Sequence, residues 1–140
     1  MNPYIDEHAL RNYFKDQKMV LAVYLFGSFS KGQARPASDV DLALLLNPSL
    51  PEGNYLDERL RYMSELSAVL GRETDVVILN EAPPVLVHQI LLHGKLIDEK
   101  NHGAMVAFKA RSMIDYVDWL PYKIRLDEAV LKHFKAARHG

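Results

Sequence analysis

Apolar positions along the chain switch between a helical and a strand period, and the switches mark its elements. Ile5, Ala9, Leu10, Tyr13 and Phe14 recur at helical spacing and predict a helix over about 5–17. Residues 19–26 form a run of Val, Leu and aromatics that reads as a buried strand ended by Gly27. Ser, Lys, Gly, Gln, Arg and Pro over 28–38 are loop chemistry, with one helical turn after Ser28. Residues 39–46 give a second strand, closed by Asn47-Pro48 and a Pro-Glu-Gly-Asn loop. Leu56, Leu60, Met63, Leu66 and Leu70 predict a helix with Asn54 as N-cap and Gly71 as its stop. A third strand over 74–79 carries Asp75 at its head. Pro83-Pro84 opens a helix to about Leu92, 95–97 is a short strand, and from about Ala104 the pattern is helical, broken or kinked near Pro121.

Strands separated by helices predict an α/β (α+β) fold: a small mixed sheet flanked by helices. Only about 12 residues join the first two strands, too few for a full crossover helix, so an antiparallel pair is expected there. The 140 residues suit one domain over 1–140, ending in a helical segment from about 104. A net charge of -1 argues against broad nucleic-acid binding, and no direct nucleic-acid contact is expected. With no cysteine, disulfides and thiolate metal sites are excluded. The N-terminus lacks signal-peptide character and the apolar runs are too short to span a bilayer, so the expectation is a cytoplasmic protein without a membrane partner.

The chemistry concentrates in residues 25–46. Gly27-Ser28 ends one apolar run, and after ten further residues Asp39-Val40-Asp41 opens the next. Residues i and i+2 of a strand share a face, so Asp39 and Asp41 would project together. Paired carboxylates repel unless a cation sits between them, and a hard ion such as Mg2+ suits an oxygen set that includes phosphates. The Gly-Ser turn offers amides and a hydroxyl to those phosphates. Nucleotide transfer by two metals calls for a third carboxylate, which can also act as a general base. Asp75 is the best candidate; Glu73 and Asp57 suit the role less. Lys31 and Arg35, inside the loop, could meet phosphate oxygens.

The Gly27-Ser28-x10-Asp39-x-Asp41 pattern resembles the signature of the DNA polymerase β-like nucleotidyltransferase superfamily, in its minimal nucleotidyltransferase form. The resemblance covers about 5–98. Many such proteins are antitoxins paired with HEPN-domain RNase toxins. The likeness implies a polymerase β palm-like fold, with Asp39, Asp41 and Asp75 as catalytic and metal-binding residues for two Mg2+ ions. It implies that Gly27 and Ser28 hold the triphosphate of ATP; Lys31 and Arg35 are added by charge and loop position. The implied reaction transfers AMP to a tyrosine hydroxyl of the toxin, within a hetero-oligomer. A non-catalytic antitoxin that binds and occludes, or a small-molecule nucleotidyltransferase, are the alternatives.

Each of these signals also has a blander reading. Asp-x-Asp alone can be two solvated acids, and only its combination with the Gly-Ser turn and Asp75 gives it meaning. His88 and His93 lack zinc-ligand spacing, and Gly27-x4-Gly32 lacks the following Lys-Ser/Thr of a phosphate loop. Near the end, Lys123, Arg125, Lys132, Lys135 and Arg138 outweigh Asp127 and Glu128, around a stripe of Leu126, Val130, Phe134 and Ala137. That pattern predicts an amphipathic helix docked on the body, with a partner-binding or phosphate-attracting helix as the second reading. Tyr116, Trp119 and Tyr122 nearby fit either a core or an interface.

Overall fold

A computed structural model describes residues 5–27, 29, 32 and 39–139. Helix α1 (Glu7–Lys15) is started by Asp6, whose carboxylate accepts from the Ala9 N–H at 3.0 Å. Strands β1 (Val20–Phe26) and β2 (Val40–Leu46) follow, then a 3-10 turn and helix α2 (Tyr55–Leu70). Strand β3 (Thr74–Ile78), helix α3 (Pro84–His93), strand β4 (Lys95–Glu99) and helix α4 (His102–His139) complete the order.

The sheet runs β3-β2-β1-β4. β1 pairs antiparallel with β2 and β4, while β2 and β3 are parallel, giving the mixed sheet that the short first connection required. Strand alternation sorts the side chains into two cores. Val40, Leu42 and Leu44 of β2 and Val76 of β3 meet Leu10 and Phe14 of α1 and Tyr62 and Leu66 of α2. Ala22, Tyr24, Ala43 and Leu45 face the other way, against Val87 and Ile90 of α3 and Met105 of α4.

Two joints set the position of β3. The Thr74 N–H donates to Ser67 Oγ at 3.0 Å, tying the strand's start to α2. Past its end, Asn80 clamps the Leu46 peptide, accepting from its N–H at 2.8 Å and donating to its carbonyl at 2.9 Å. Gly71, at φ 64, closes α2 in the left-handed conformation, as its position predicts. Asn54 holds the N-cap position but makes no side-chain capping bond.

Two sequence expectations are corrected. The buried stripe of α2 is Tyr55, Tyr62 and Leu66, whereas Leu56 and Leu60 are 60% and 53% exposed. Two aromatics therefore turn the helix to a phase that counting leucines missed. Helix α4 is unbroken through Pro121, and the described side chains of its basic end are exposed and not docked, while those of Phe134 and Ala137 lie outside the described residues. Every residue described from Pro121 to Ala136 is exposed, including Leu126 and Val130. An exposed helix can lose one backbone hydrogen bond to a proline because water reaches the freed carbonyl. The first half of α4 does pack inward: Tyr116 stacks on His88 of α3 at 3.7 Å between centroids, with Trp119 beside it. Among the described residues, no helix is long and apolar enough to cross a membrane.

Stability should follow this division. Leu42→Ala, in the fully buried layer, should cost about 2–5 kcal/mol. Leu126→Ser and Val130→Ser should each change stability by less than about 0.5 kcal/mol. Denaturant unfolding of the three variants checks the contrast, and a large loss at Leu126 would mean that the end of α4 is docked after all.

Candidate active site

The acidic residues collect at one end of the sheet, on the face shared with α3 and α4. Asp39 precedes β2 and is exposed; Asp41, two residues on, is half-buried. In the parallel ladder Asp41 is the register partner of Asp75, and in the antiparallel one it lies opposite Phe26. The two-residue alternation of both strands puts Asp41 and Asp75 on the same face. All three acids thus come to one end of two adjacent strands.

Gly27 follows Phe26 with φ +74, a conformation that side chains rarely adopt. A Cβ at this position would run into Asp41 Oδ2. The missing side chain is what lets the β1 turn close over the Asp41 carboxylate. Burial first, then the charges of Asp75 and Asp39, push the Asp41 carboxyl above its ordinary value.

Asp75 is held differently. Its Oδ1 accepts from the Val76 N–H at 2.9 Å and from Arg59 Nη2 at 3.2 Å. Arg59 Nε also donates to the Val76 carbonyl at 2.6 Å. β3 is an edge strand, and this arginine with this aspartate satisfies the Val76 peptide where no further strand does. Sequence reasoning missed Arg59. Once the phase of α2 is known the signal is visible, since Arg59 lies four residues after Tyr55 and three before Tyr62, on the inward stripe.

Ser28, Lys31 and Arg35 lie outside the described residues. Among the described ones, no three acids or histidines stand close enough to hold an ion as they are. The donor set nevertheless fits Mg2+. It is all oxygen, its members repel one another, and Gly27 leaves room at Asp41. Asp39 and Asp41 could hold an ion together, and Asp75 could join them by turning from the strand edge.

The family model described as Polymerase beta, Nucleotidyltransferase matches residues 8–103, well over half of the chain. The chain belongs to this nucleotidyltransferase family. Among relatives, the protein adenylyltransferase MntA of Shewanella oneidensis is 31% identical over 96 residues, covering 68% of this nucleotidyltransferase and 66% of the relative. The chain thus aligns with about two thirds of that relative's length. A chain from a toxin-antitoxin crystal structure with AMP-PNP superposes at a TM-score of 0.77 and 23% identity, over 91% of this chain and 99% of that one. A chain from a complex of tri-AMPylated Shewanella oneidensis HEPN toxin with MNT antitoxin gives 0.70 at 22%, over 89% and 95%. At these identities the structural likeness establishes the shared fold.

Two outcomes follow from the geometry. Because the folded state raises the Asp41 carboxyl, it holds a proton there more tightly than the unfolded chain does. Stability is then lost as pH rises from the ordinary carboxylate range through the raised value. Asp41→Asn should melt higher than the parent at neutral pH without divalent ions, and the gain should vanish below about pH 4. Melting curves across that range test it; a gain that persists in acid would remove the electrostatic cause. Gly27→Ala should lose more than about 1 kcal/mol, because strain at positive φ adds to the collision with Asp41. Denaturant unfolding reads that loss, and an unchanged midpoint would contradict the close approach.

Proposed function

We propose that this nucleotidyltransferase is a protein adenylyltransferase that neutralises a HEPN-domain RNase toxin, moving AMP from ATP to a tyrosine hydroxyl of that partner. The observation that carries the reading is Asp41 itself. It is half-buried, covered by a side-chain-free turn, level with Asp75 and preceded by Asp39. Three mutually repelling acids in one place make little sense for packing and good sense for a cation and a triphosphate. The adenylyltransferase relative supports protein as the acceptor class.

In this reading Asp39 and Asp41 would hold Mg2+ for the triphosphate, and Asp75 would help to hold a second ion and serve the acceptor hydroxyl. Bound Mg2+ supplies neutralisation of phosphate charge and polarisation of the reacting oxygens. Gly27 and Ser28 offer backbone amides and a hydroxyl to the phosphates, with Lys31 and Arg35 as further cations. The acceptor hydroxyl gives its proton to Asp75 as its oxygen bonds to the α-phosphorus. The bond from that phosphorus to the bridging oxygen of the β-phosphate breaks, and pyrophosphate leaves. The adenylylated tyrosine then carries a negative phosphodiester and a bulky base, enough to block an RNA-cleaving site.

The test combines labelled ATP, Mg2+, this protein and a cognate HEPN-domain protein. Label should pass to the HEPN protein, protection should need only substoichiometric amounts, and inhibition should outlast removal of the enzyme. Asp39→Asn and Asp41→Asn should each lower transfer on the order of a thousandfold, the equivalent of several kcal/mol of lost charge stabilisation. Protection by the Asp41 variant at one-to-one ratio, without a mass change, would instead establish an occluding antitoxin. Transfer of label to a small acceptor alone would establish a small-molecule nucleotidyltransferase.

A further inference from the structure

Asp75 stands level with Asp41 on the ladder, yet its carboxylate is engaged at the outer edge of β3. The Val76 N–H and Arg59 hold it there together, and Arg59 is the one that brings charge. Its Nε is fixed on the Val76 carbonyl at 2.6 Å, so the guanidinium stays at the edge whatever Asp75 does. Its Nη2 reaches Asp75 Oδ1 at the longer distance of 3.2 Å. The arginine thus has one firm contact, to backbone, and one looser contact, to the acid. The pair is open to water, with side chains 38% and 48% exposed, and ion pairs of this kind are weak and readily exchanged.

We infer that Arg59 is a positioning residue that competes with a divalent cation for Asp75. In the nucleotide-free protein it stands in for the cation's charge, and it yields the carboxylate only when an ion recruits Asp75. This rests on the reading of Asp39, Asp41 and Asp75 as a cation site. The consequence is selective: the first ion, on Asp39 and Asp41, binds without disturbing Arg59, whereas recruiting Asp75 means displacing it. A lone cation is therefore held less tightly than three free carboxylates would hold it. Were Arg59 only a brace for the edge strand, its loss would lower stability and leave cation affinity alone.

The experiment measures Mn2+ binding by the loss of free-ion EPR signal, in the parent chain and in Arg59→Met, Arg59→Lys, Asp75→Asn and the Arg59→Met/Asp75→Asn double variant. Arg59→Met should bind Mn2+ more tightly, by up to about fivefold, the range set by an exposed ion pair. Arg59→Lys, which keeps the charge, should stay within about twofold of the parent. The double variant should lose the gain, since the coupling runs through Asp75. Arg59→Gln, whose amide can still donate to the Val76 carbonyl, replaces Arg59→Met if that variant does not fold. Unchanged or weaker binding in the neutral variants, with the parent and Asp75→Asn differing, overturns the competition and leaves the cation site standing. No binding to the parent overturns both.

Discussion

Asp41 and Asp75 lie level on neighbouring parallel strands, and their mutual repulsion constrains this end of the sheet. Adjacent strands run roughly 4.8 Å apart, so register alone brings the acids near each other. The fold eases that repulsion in two ways. Asp39 stays in water, and Asp75 leans on Arg59, while the Asp41 carboxyl is left raised by burial and by its two neighbours. A divalent cation between the acids would ease the repulsion directly.

The rest of the chain keeps that arrangement in place. Even-numbered residues of β2, from Val40 to Leu46, are buried against α1 and α2, which fixes the face on which Asp41 emerges. Helices α3 and α4 cover the opposite face through Ala43 and Leu45, and Asp41 lies next in line on that face. The acids thus begin where the apolar layer ends, and burial beside that layer is the first cause that raises the Asp41 carboxyl above its ordinary value.

Most of this was legible because it depends on short-range periods. Apolar runs and turn residues located the four strands of the described residues, although β2 begins at Val40, so Asp39 stands just before the strand and not on it. β4 extends to Glu99, two residues past the predicted end, because its pairing with β1 uses the polar positions Asp98 and Glu99. What was not legible depends on long-range packing. The phase of α2 is set by Tyr55 and Tyr62, which fill the sheet-facing layer better than Leu56 and Leu60, and Arg59 follows from that phase. Likewise the stripe of Leu126 and Val130 promises burial only if something is there to bury it, and the body of the chain ends its contact with α4 before them.

The joint between α2 and β3 has a consequence for which changes of chain length the protein can bear. From Gly71 to Thr74 the backbone is pinned at both ends, by the left-handed glycine and by the bond from Thr74 to Ser67. A strand counts residues by parity. One residue added or removed in this connection, with the ladder otherwise kept, would turn Asp75 inward against Tyr62 and Leu66 and bring Thr74 or Val76 out beside Asp41. That single step would bury a charge and remove an acid from the cluster at once. An insertion between β2 and α2, beyond Leu50 and beside the exposed Pro51 and Gly53, shifts no acid and falls where added length is tolerated. Length variation in this chain is therefore permitted loop by loop, and forbidden in odd steps where a strand carrying an acid begins.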